Sequence, residues 1–160
     1  MKRSIHMLLA GIAILSSACG HKTNSADLIN KKASLPPSFQ FEALGLKVMS
    51  SSINKKRGTM STLYANELGL KNAIAGLKNH MAGEVFALVT WKQQEDDHWF
   101  GAKIPGDLSS VELVKTTAIV NHTVISYKKF EGKDLVANPD TLHQQDRIKY
   151  IFEQQPSVMP

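Results

Sequence analysis

The chain has one cysteine among its 160 residues, so no disulfide can form within it. Phosphate-cradling loops of the types G-x-x-x-x-G-K-[ST] and G-x-G-x-x-G are absent, as is the G-x-S-x-G turn of serine hydrolases. No two histidines stand three or four residues apart, the spacing that puts two ligands on one helix face, and a second thiol is missing. A zinc site would need ligands converging from distant parts of the chain. No apolar run reaches the roughly 20 residues that span a bilayer. Arginine-rich stripes with interleaved aromatics are also lacking, which leaves nucleic-acid binding without support. The basic residues are scattered as Lys31-Lys32, Lys55-Lys56-Arg57 and Lys128-Lys129, a pattern that reads as solvated surface.

What is there begins with "MKR", a mostly apolar run from Ile5 to Leu15, and "SSACG" around Cys19. A basic start, a short apolar stretch and small residues form the layout of a secretory signal. Cys19 directly after Ser16-Ser17-Ala18 resembles a bacterial lipobox, although the usual leucine three places before the cysteine is here Ser16. On that reading residues 1–18 are a lipoprotein signal peptide and Cys19 is lipidated. A diacylglycerol thioether and an N-acyl chain exceed the two signals that stable anchoring needs. The simpler alternative is an ordinary signal peptide with an incidental cysteine. Loss of Lys2 and Arg3 on cleavage would lower the formal charge of +5 by two. Gly20 after the cysteine, rather than aspartate, favours the outer membrane, with the domain facing the periplasm.

Residues 19–38 are polar, end in Pro36-Pro37 and read as a flexible tether. From Phe39 the composition changes, and 39–160 is expected to be one folded domain. Segments 44–53 and 59–65 predict a hairpin across the charged turn 55–58. Asn66 can cap a helix whose Leu70, Ala73, Ile74 and Leu77 share one face. Gly69 and Gly76 weaken that helix by about 1 kcal/mol each and can allow close packing on a sheet. "GEVFALVTWK" (83–92) is apolar on both faces, as a central strand covered on both sides must be. Strands follow at 98–104, 110–120 and 123–130, then a helix over 141–154 capped by Asp140 or Thr141, with Ile148, Ile151 and Phe152 on its apolar face. The order ββαββββα predicts an α+β fold, an antiparallel sheet with two main helices packed on it.

Single residues carry little chemistry by themselves. His21, His80, His98, His122 and His143 are isolated histidines. "EDDH" (95–98) lacks the alternation and glycine of a calcium loop and reads as an acidic turn. Trp91 reads as core. Trp99 and Phe100 are adjacent, so on a strand they point to opposite faces, and one of them must meet a helix, a partner or a ligand.

Three stretches go further: "TMSTLYANELGLKNA" (59–73), "GEVFALVTWKQQEDDHWFGAKIPG" (83–106) and "YKKFEG" (127–132). Together they resemble the cytochrome P460 and cytochrome c′-beta family. The resemblance implies an antiparallel sheet with packed helices, usually as a homodimer, and in its well-known members a c-type haem that oxidises hydroxylamine or binds nitric oxide. Those members attach haem at C-x-x-C-H near the C-terminus. Here that region reads "NPDTLHQQDRIKYIFEQQPSVMP" and holds no cysteine, so covalent c-type attachment cannot occur there. His143 stands in the right region to ligate a non-covalent haem, since imidazole alone can hold haem iron; otherwise it is a surface histidine near a helix start. The expectation is a lipid-anchored binding module for a small ligand or a protein. The alternative is a non-covalent haem oxidoreductase, and whether the chain is an enzyme stays open.

Overall fold

Alternating small, polar and branched residues form β1 (Lys47–Asn54) and β2 (Thr59–Ala65), an antiparallel hairpin whose turn closes on Gly58 at φ 62°. These coordinates come from a computed structural model that describes residues 29–120, 122–139 and 142–157. Cys19, the signal sequence and most of the expected tether lie outside the described residues. The hairpin matches its expected place.

Asn66 caps α1 (Glu67–Ile74) by accepting a hydrogen bond from the Gly69 amide at 2.9 Å. The same side chain donates to the Gly83 carbonyl at 2.8 Å, tying the helix start to the approach of the next strand. Gly69 is buried against the sheet: a Cβ there would stand 2.8 Å from Phe86 Cζ, so only glycine lets the helix lie this close. Gly76 does something else. At φ 64° it ends the helix earlier than the apolar spacing to Leu77 suggests.

β3 (Val85–Glu95) lies between β2 and β4, with both faces covered as its sequence requires. β4 is one strand from Lys103 to Ile119, where the sequence predicts two strands, 98–104 and 110–120. Pro105 has no N–H to donate, but the pairing with β3 shifts register beside it, so the strand passes through without breaking. Residues 98–102 are a turn instead. Asp96 Oδ1 accepts from the amides of His98 (2.8 Å) and Trp99 (3.2 Å), the local bonding that makes aspartate a turn residue. Trp99 and Phe100 are therefore 72% and 109% exposed, and neither meets the core.

β5 (His122–Glu131) and a short β6 (Val136–Asn138) complete a six-stranded antiparallel sheet whose strand order follows the sequence. The last helix, α2 (Gln144–Phe152), buries Ile148 and Ile151 as its periodicity predicts. The fold is α+β, with both helices on one face of the sheet.

On that face Met49, Leu63, Ala65, Phe86, Leu88 and Val114 meet Ile148 and Ile151. On the opposite face Val89, Trp91, Leu108, Val111 and Leu135 are covered by Leu35, Phe39 and Phe41. Phe39 stands edge-on to Phe130 at 5.6 Å, and Phe41 edge-on to Tyr64 at 4.8 Å. The Trp91 indole N–H donates to the Ala33 carbonyl at 2.8 Å, and the Leu108 amide to the Lys32 carbonyl at 3.3 Å. Packing on the sheet thus begins upstream of the composition change at Phe39, and the folded unit starts at Lys31. Residues 31–44 form a strap across this face.

Candidate functional site

The sequence places a carboxylate, Glu84, at the head of the most apolar strand. Gly83 at φ 98° turns the chain into β3, and the Glu84 side chain falls on the helix face, fully buried at 0% exposure. An isolated buried carboxylate loses several kcal/mol of hydration. Here three donors replace much of that hydration. Glu84 accepts from Asn72 Nδ2 at 2.5 Å, from the Met81 amide at 2.9 Å and from His80 Nδ1 at 2.7 Å. Thr116, in β4, closes the network: its hydroxyl accepts from the Glu84 amide at 2.8 Å and donates to the Met81 carbonyl at 2.6 Å.

The network fixes one imidazole. Because a carboxylate only accepts, His80 Nδ1 carries the proton of that bond, and Nε2 is the nitrogen left for other chemistry. The His80 ring also stacks on Phe152 with centroids 3.5 Å apart and 20° between planes. It forms part of the wall of a cleft of about 540 Å³ between the C-terminal end of α1 and one side of α2. Leu77, Ile125, Ile148 and Phe152 supply apolar surface there, and Gln145, Lys149 and Gln154 polar surface. A carboxylate that orients a histidine through Nδ1 is the arrangement that sets tautomer and basicity in proton-transfer and ligand-binding sites.

A second buried carboxylate lies on the same face. Glu112 in β4 accepts from Arg147 Nε at 2.8 Å, from Arg147 Nη2 at 2.7 Å and from the Tyr127 hydroxyl at 2.8 Å. Burial first, then the bond and charge of Glu112, push the Tyr127 phenol well above its ordinary value. The Glu112 bond pushes Arg147 up against the opposing effect of burial. On the strap side, burial raises the Tyr64 phenol.

The histidines fall in different places. His143 occupies the cap position of α2 with φ 64°, and its side chain makes no capping bond. Its side chain is 71% exposed, with Nδ1 3.5 Å from Asp146. It does not line the His80 cleft. His98 and His122 are exposed, and His21 lies outside the described residues. Glu95 of the acidic turn pairs with Lys103. Among the described residues no three histidine, cysteine or acidic side chains converge as a metal-binding group. Trp91 is core, as expected.

Reading the sequence alone does not single out His80 with Glu84, or Glu112. The available signals are the acid directly ahead of "VFALV" and the acid inside "SVELV", where a charge interrupts an apolar strand. Compared with known proteins, the chain matches no family model, and no curated protein matches it in sequence.

Proposed function

We propose that the chain is a cytochrome P460-like binding domain, anchored at the bacterial cell envelope through Cys19, that takes a small ligand in the cleft between α1 and α2 and works without covalent haem. An antiparallel sheet with both helices on one face is compatible with that resemblance. The observation that carries the reading is the His80–Glu84 pair. A fully buried carboxylate, held by three donors, holds an imidazole in the wall of a cleft with several apolar side chains. Such a site suits a small molecule with an apolar body and one hydrogen-bonding group.

The reading gives no role to a haem on His143 and rests on His80 instead. The His143 side chain is exposed, lies 3.5 Å from Asp146 and does not line the His80 cleft. No step is assigned to haem.

The test is a ligand screen by NMR on isotope-labelled protein, using fragments with an apolar body and a single polar group. Shifts should cluster on Leu77, His80, Ile125 and Phe152 and vanish in His80→Ala. Hits scattered over the surface, or undiminished in that variant, refute the assignment. Titration with hemin should leave the Soret band where free hemin has it; a shifted band that His143→Ala abolishes would restore the oxidoreductase reading.

A further inference from the structure

The helix-bearing face changes character along its strands. Beneath the helices it presents Leu63, Phe86, Leu88 and Val114. Further along, the pairing register sets Ser52 opposite Ser61, Ser61 opposite Thr90, and Thr90 opposite Ser110. Four hydroxyls therefore lie in one row across β1 to β4, with neighbouring strands about 4.8 Å apart. All four line a cavity of about 530 Å³ on the far side of α2 from the His80 cleft.

The row is open to further bonding. Ser61 and Thr90 share one hydrogen bond of 3.0 Å, and each hydroxyl has one donor and two acceptor positions. The Ser52 and Ser110 hydroxyls bond to no described residue. Small hydroxyl side chains leave a shallow trough where an apolar face would need covering.

The charges around it favour an anion. Glu112 is held by Arg147 and Tyr127, and Glu131, at the end of the row opposite Ser110, by Lys129 at 2.5 Å and Asn138 at 2.9 Å. Arg57, from the β1–β2 turn, lines the trough and ion-pairs with no described residue. Arg147 bonds Glu112 through Nε and Nη2, which leaves Nη1 for a ligand. Its guanidinium also lies 4.8 Å from the centre of the Tyr150 ring, and Tyr150 forms part of the same wall.

We propose that this trough is a second binding site, for an oligosaccharide carrying carboxylates. The hydroxyl row meets the ring hydroxyls, the Tyr150 ring meets a C–H face, and Arg57 with Arg147 takes the carboxylates through charge-assisted bonds. A linear row suits a chain of sugar rings better than a compact phosphate, which would need the cations to converge on one point.

The test is calorimetric titration of the full chain with tetramers of galacturonate, mannuronate and guluronate, with their methyl esters, and with inorganic phosphate. At least one tetramer binds, and its methyl ester binds at least tenfold more weakly. Arg57→Ala weakens binding about fivefold, and the Ser61→Ala/Thr90→Ala pair about tenfold. His80→Ala leaves it unchanged, which separates this site from the cleft. If the serine–threonine pair fails to fold by circular dichroism, Arg57→Ala on its exposed turn decides. Three outcomes overturn the proposal: no tetramer binds, ester and acid bind alike, or phosphate competes as strongly as the tetramer.

Discussion

The two faces of the sheet are packed by different means. The strap face is closed by apolar side chains and edge-on aromatic pairs, with single hydrogen bonds from Trp91 and Leu108 to the strap backbone. All the buried polar and charged residues identified, Asn72, Glu84, Ser110, Glu112 and Thr116, lie on the helix side or in α1. Burying Glu84 and Glu112 is an expensive way to close a core, because apolar residues of similar volume often hold it as well or better. Apolar packing suffices where a face has only to be shut. Polar networks stand where side chains must be held at defined angles beside open clefts.

The largest effect that would break this contrast is expected at Glu84. Glu84→Ala leaves Asn72, the Met81 amide and His80 without their acceptor, and should lower stability by about 3–5 kcal/mol in urea unfolding. Trp91→Phe on the opposite face removes one hydrogen bond and part of a ring, with an expected loss of about 1–2 kcal/mol. It should also speed proteolysis between Lys31 and Phe39. A Trp91 loss larger than the Glu84 loss would put the more demanding face on the wrong side.

Tyr127→Phe should lower stability by about 1 kcal/mol at neutral pH. It sharpens the comparison through pH. The phenol is raised in the folded protein from an ordinary value of 10.0, so above that pH the unfolded chain releases the proton first. The contribution of Tyr127 is complete below pH 10 and declines as pH rises beyond it. The variant should show a shallower alkaline loss of thermal stability than the parent; equal slopes would detach Tyr127 from the Glu112 network. The smallest effect belongs to Trp99→Ser and Phe100→Ser, each within about 0.5 kcal/mol, since neither side chain touches a core.

Much of the fold was legible because local chemistry and long-range packing agree. The hairpin, the Asn66 cap, the doubly covered β3 and the apolar face of α2 all follow from spacing. Two features were not. The sequence predicts separate strands at 98–104 and 110–120, but β4 runs through Pro105 because the irregular pairing there removes the need for a proline N–H. Lys31–Ser38 reads as a tether because its side chains are mostly small or polar, while part of its hold on the sheet comes from the Lys32 and Ala33 carbonyls, which composition does not register. The site was less legible still. His80 is positioned by Glu84, and Glu84 by Thr116, which stands 32 residues further along the chain. The hydroxyl row exists only once the strand register is known, since Ser52, Ser61, Thr90 and Ser110 share no motif. His143 drew notice for its place in the chain, yet it faces solvent.

The strap has a mechanical consequence. The chain enters the fold through it, so tension arriving from the N-terminal side loads the Lys32 and Ala33 carbonyl bonds and the Phe39 edge before any strand of the sheet. Those contacts lie in series along the segment and would give way by peeling. The strap is in this sense a strain relief, taking up the pull on one side of the sheet while both clefts stand on the other.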